Sequence, residues 1–106
     1  MFTNKDKACL ASKKILKDGY KVGYMYREEP ESSYPDSGWR FFAGDETDEY
    51  TNDPTNFFLV SVGTVCNIDI AVEFYIEAQI GSSFVRSDKN TFVPDDKSKP
   101  ITIFFE

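Results

Sequence analysis

Apolar residues in this chain come in short aromatic and β-branched runs, each closed by glycine or by a cluster of charge. The clearest is YKVGYMYRE, residues 20–28, where Val22, Tyr24 and Tyr26 alternate with Lys21, Gly23, Met25 and Arg27. A period of two sends alternate side chains to opposite faces of an extended chain, so this stretch reads as a strand. GWRFFAG, 38–44, is a second strand bounded by glycines. NFFLVSVGTVCNI, 56–68, reads as a buried strand with a break near Gly63. ACLAS (8–12), SSFVRS (82–87) and ITIFFE (101–106) add further strands.

Helix signals are fewer. KKILKD, 13–18, suits a helical turn closed by Gly19 at the C′ position. Asp45 to Asn52 reads as a turn or a short helical segment. DIAVEFYIEAQIG, 69–81, supports two readings. Ile70, Val72, Phe74 and Ile76 alternate as in a strand. Asp69 as N-cap, Glu73 and Glu77 four apart, and Gly81 as terminator fit a helix of about three turns, the preferred reading. Glu28 to Ser37, with Pro30 and Pro35, is a loop, and so is SDKNTFVPDDKSKP, 87–100. The expected architecture is α+β: a largely antiparallel sheet with one or two helices packed on one face, in a single domain over residues 1–106.

Ten Phe and six Tyr among 106 residues provide the bulk for one packed interior. No run approaches the roughly 20 apolar residues of a membrane helix, and no export signal is legible, so the expected location is cytoplasmic. Cys9 and Cys66, 57 positions apart, belong to no CxxC pattern. They read as reduced, buried residues, with a cystine open only if the fold brings them together.

There is no histidine. That removes Ser-His-Asp and Cys-His nucleophilic sites and the usual zinc sites, leaving a lysine base or a carboxylate pair as the residual enzymatic options. The net charge of −6 is unevenly distributed. Residues 1–21 carry six lysines against Asp6 and Asp18, whereas residues 28–53 carry nine acids against Arg40 alone. Such a field repels nucleic acid and anionic lipid and attracts basic proteins.

The densest part of that acidic region is PDSGWRFFAGDETDEY, 35–50, which also holds the chain's one tryptophan. DETDEYTNDPTN, 45–56, has the length of an EF-hand loop, but Tyr50 replaces the required glycine and Asn56 stands where a bidentate Glu belongs. Adjacent acids on a hydrated loop keep ordinary pKa values, which argues against a general acid–base pair. No glycine-rich phosphate cradle is present. Neither a catalytic residue nor a cofactor or metal is therefore expected. Asp36, Asp45, Glu46 and Glu49 are the ligands that an alternative small-molecule or divalent-metal module would use. Trp39 reads as a core anchor before an interface residue, its N–H satisfied by Asp36 or Ser37. Arg27, Arg40 and Arg86 read as partners in structural ion pairs.

The segments ACLASKKIL, KVGYMYREEP, DSGWRFFAGDE and GSSFVR occur here in that order. Together they resemble a bacterial family grouped with the immunity proteins of polymorphic toxin systems, immunity protein thirty-three, over about residues 8–86. Its most specific piece is Asp36-Ser37-Gly38-Trp39-Arg40, followed by Gly44-Asp45-Glu46 and Tyr50. The resemblance implies an α+β domain that binds and blocks a toxin without catalysis, and it maps the family's typical tryptophan onto Trp39. The partner expected is a cognate protein toxin with a basic surface, with no nucleic acid or membrane involved. The contact surface expected for it comprises Asp36, Trp39, Arg40, Asp45, Glu46, Asp48, Glu49 and Tyr50, with the acids facing outward.

Overall fold

In the computed structural model, which describes residues 4–95, six strands form one sheet. They are β1 (Ala8–Ser12), β2 (Tyr24–Arg27), β3 (Asp36–Phe42), β4 (Phe57–Ser61), β5 (Ser83–Arg86) and β6 (Phe92–Pro94), in the spatial order β4-β1-β3-β2-β5-β6. All neighbours are antiparallel except β1 and β3. Three short α-helices, α1 (Lys13–Leu16), α2 (Asp48–Thr51) and α3 (Val62–Ile68), complete the α+β fold with 3-10 turns at Asn4–Asp6, Pro54–Asn56 and Ile70–Phe74.

One face of the sheet is dry. Cys9 and Ala11 of β1, Met25 of β2, and Trp39 and Phe41 of β3 pack with Val62, Val65 and Cys66 of α3 and with Ala71, Val72 and Ile76 beyond it. Apolar area removed from water at about 25 cal/mol per Å² makes this layer the main source of stability. Both cysteines are free and buried inside it, and burial pushes the Cys9 thiol up to about 12. The other face carries the opposite parity: Leu10, Tyr24, Tyr26, Arg40, Phe42, Phe57 and Leu59. Pairing aligns Leu59 with Leu10, Leu10 with Arg40, and Arg40 with Tyr26, so these four lie in one row across four strands.

Several boundaries differ from the sequence expectations for identifiable reasons. The β4 run stops at Ser61, not at Gly63, because the Ser61 hydroxyl accepts from the Thr64 amide at 3.1 Å and caps α3. Val62 to Ile68 is therefore helix rather than strand. The β2 run starts only at Tyr24. Val22 and Met25 are both buried, so the alternation slips at Gly23, whose Cβ would collide with the Ala43 carbonyl. Residues 69–81 form neither a long helix nor a strand. Asp69 caps the 3-10 turn Ile70–Phe74 through the Ala71 amide, and turns follow to Gly81. The polar stretch read as a loop contains β6, whose Phe92 enters the core. ITIFFE lies outside the described residues.

The third strand carries the most irregular backbone. Ala8 pairs with Asp36 and Leu10 with Arg40, so two steps along β1 match four along β3. Gly38, at φ +89°, sits in the middle of this bulge, and a Cβ there would run into the Glu28 carbonyl oxygen. Only glycine meets both conditions. The bulge draws Asp36 and Arg40, four residues apart, close enough to pair.

Candidate functional site

Asp36-Ser37-Gly38-Trp39-Arg40 is an interior assembly. The Asp36 carboxylate accepts from Arg40 Nη1 and Nη2 at 3.0 and 2.8 Å, and from the amides of Glu31 and Gly38 at 2.8 and 3.1 Å. Burial alone would raise the Asp36 pKa. The guanidinium and the two amides outweigh it and hold the carboxyl at about 2. The Ser37 hydroxyl donates to the Ala8 carbonyl at 2.7 Å, fastening β3 to β1. Trp39 is fully buried, and its indole Nε1–H donates to the Ile76 carbonyl at 3.0 Å. The expected partners Asp36 and Ser37 are engaged elsewhere. Trp39 thus ties the sheet to the segment after α3, and its ring is no part of an outward surface.

Arg40, opposite in parity to Trp39, supplies the floor of a groove on the other face. The groove encloses about 470 Å³. Its walls come from Tyr26 of β2, Phe42 of β3 and Phe57 of β4 on one side, and from Thr51, Asn52 and Pro54 on the other. The Tyr26 and Phe42 rings stack with centroids 5.7 Å apart at 19°, and Phe57 meets Phe42 edge-on at 5.6 Å. Burial raises the Tyr26 phenol to about 12, so the ring is uncharged at neutral pH.

Glu28 completes the floor. Its Oε2 accepts from Arg40 Nε at 2.6 Å while its side chain is half exposed. One guanidinium therefore meets two carboxylates, and the floor retains a surplus negative charge on its exposed side. Burial works to lower the Arg40 pKa, but hydrogen bonds to Asp36 and Glu28 raise it. The arginine is a fixed cation.

The acidic run divides at Thr47. Asp45 is bound within the chain: it pairs with Lys14 Nζ at 2.9 Å, and that ammonium also lies 5.5 Å from the Tyr50 ring centroid. Glu46 accepts from the amides of Ala43 and Gly44 at 2.7 and 2.9 Å, closing the turn after β3. Burial opposes its ionisation, but the Ala43 amide, the Ser12 hydroxyl and the Gly44 amide lower its pKa on balance. Asp48 and Glu49 lie beyond the Thr47 N-cap, in the first turn of α2, exposed to water. Tyr50 is half-buried and meets Phe57 edge-on, centroids 6.1 Å apart. These two acids belong to the same short helix as Thr51, which lines the aromatic groove.

Of the expected surface, Arg40 lines the groove, Tyr50 meets its Phe57 wall, and Asp48 and Glu49 are exposed on α2, whose Thr51 lines the groove. Asp36 and Trp39 lie in the interior, and Asp45 and Glu46 are engaged by the chain itself. Tyr26, Glu28, Phe42 and Phe57 are additions. The parity of Phe42 with Arg40 was the signal available in the sequence; the register that sets Tyr26 opposite Arg40 and the approach of β4 were not legible. Asp36, Asp45, Glu46 and Glu49 make no ligand set, and no group of three or more acidic or cysteine side chains suited to a metal ion occurs among the described residues. Of the three arginines, Arg86 pairs with Asp69 and Arg40 with two acids. Arg27 instead donates to the carbonyls of Ser37 and Ala78, at 2.9 and 2.8 Å. No helix among the described residues is long and apolar enough to cross a membrane.

Residues 9–96 match the family described as the immunity protein Imm33 domain, and the chain belongs to that family. Comparison with curated proteins and with solved structures gave no match.

Proposed function

We infer that this Imm33-family chain neutralises a cognate toxin by binding it, without catalysis, through the sheet face that carries the aromatic groove and the α2 acids. The observation that carries this reading is the contiguity of the two features. Exposed Asp48 and Glu49 lie on α2, the helix whose Thr51 lines the aromatic groove, in the most acidic quarter of the chain. A negative rim accelerates the encounter with a basic protein and selects among partners, while buried aromatic contact at the centre holds the complex. Asp36 and Trp39 support this surface from below and make no contact with the partner.

Family membership supplies the toxin as the class of partner; its basic character is argued from the charge of this face. The same reasoning keeps nucleic acid out of the site; a cytoplasmic location is part of this proposal. The described residues are read as parts of one domain with a single partner-facing surface.

Co-expression with the product of the adjacent gene tests the reading. Growth should be rescued, and a complex should copurify. Replacing Asp48 and Glu49 by Asn and Gln should slow association several-fold at low salt and flatten its salt dependence, with little change in the dissociation rate. An unchanged association rate would remove the acids from the interface.

A further inference from the structure

The groove is specific in what it can hold. Three aromatic rings line it, one half-exposed carboxylate stands at its floor, and the cation beneath is already matched. Glu28 meets Arg40 through Oε2 with its side chain half exposed, so the carboxylate keeps acceptor capacity beyond that bond. A neutral apolar side chain would cover that carboxylate without pairing it, which is costly. An anion would meet the surplus negative charge. A planar cation satisfies both demands, because ring faces attract a guanidinium and its N–H fork matches a carboxylate edge.

We propose that the groove is a receptor for one arginine side chain presented by the toxin, its guanidinium packed among Tyr26, Phe42 and Phe57, stacked on the Tyr26–Phe42 pair with Phe57 at its flank, and hydrogen-bonded to Glu28. The proposal rests on the toxin-binding reading above and specifies its central contact. Lysine fits less well, since a strongly hydrated point charge gains less from flat rings and cannot engage a carboxylate with a fork. Asp48 and Glu49, on α2 beside the wall, would steer a basic partner toward the groove without entering it. Arg40 then has two functions. It neutralises Asp36 within the bulge of β3, and it fixes the orientation of Glu28 on the floor.

The test uses the intact protein and a defined probe. Aromatic and amide NMR spectra are followed while Nα-acetyl-arginine amide is added, with the citrulline and lysine analogues in parallel. Citrulline keeps the shape and loses the charge. Arginine should shift the signals of Tyr26, Glu28, Phe42 and Phe57 and no distant cluster, and citrulline should bind about tenfold more weakly. Glu28→Gln, at an exposed position, and Phe57→Leu, which keeps an apolar wall, should each weaken the arginine titration several-fold. Unchanged thermal midpoints would confirm that both variants fold. Equal shifts from arginine and citrulline, shifts centred on Ile70 and Phe74, or no shifts at all would overturn the proposal. Toxin capture by a protein whose groove ignores arginine refutes the arginine contact alone. An arginine-filled groove without toxin capture refutes the functional reading alone.

Discussion

Replacing Asp36 by Asn would leave the buried Arg40 guanidinium with Glu28 as its one carboxylate partner. Removing one member of a buried, hydrogen-bonded ion pair costs about 3 kcal/mol or more, so urea denaturation at neutral pH should show a loss of that order. The same side chain sets an acid limit. Its folded pKa is about 2 against an ordinary 3.8, so the folded state binds fewer protons than the unfolded chain between those values. Its contribution is complete above about pH 4 and disappears as the pH falls towards 2, a change of about 2 kcal/mol. Asp36→Asn should flatten that part of the stability profile, and a wild-type profile level from pH 5 to pH 2 would contradict the pairing. Gly38 gives a second test at this scale. Gly38→Ala forces a Cβ at positive φ against the Glu28 carbonyl, and should cost roughly 2 kcal/mol or more in the same assay.

At the scale of elements, the junction between β4 and α3 depends on one hydroxyl. Ser61→Ala removes the cap from the Thr64 amide and should lower the thermal midpoint, reflecting a loss of about 1 kcal/mol. Ser61→Asp should retain most of the stability. This junction also shows what could be read in advance. Composition and alternation located β1, β2, β3 and β5 and the α+β class, because a period of two and glycine boundaries are local properties. The change from strand to helix at Ser61 was hidden, since Val62 and Val65 suit either state until a sheet lies below them. Residues 69–81 escaped both readings for a related reason. Ala71, Val72 and Ile76 are buried while Ile70 and Phe74 are exposed, a spacing set by the tertiary contact and by the Trp39 bond to the Ile76 carbonyl. In the site, the acidic rim was legible as charge. Its division into bound Asp45 and Glu46 and exposed Asp48 and Glu49 required the Thr47 cap and Lys14 from a distant element.

For the molecule as a whole, the two faces of the sheet have separate tasks. One is sealed by α3 and the turns after it and holds the fold together. The other is open, aromatic and acid-rimmed, and is the face assigned to the toxin. A rival apolar patch exists on the sealed side, where Ile70 and Phe74 are 69% and 81% exposed, so the assignment makes a spatial claim that can fail. Hydrogen exchange of the chain alone and in complex with its toxin tests that claim most directly. Protection should concentrate in residues 24–28, 40–42 and 48–57, with 62–80 unchanged. Protection confined to residues 62–80 would place the toxin on the opposite side of the sheet and contradict the account.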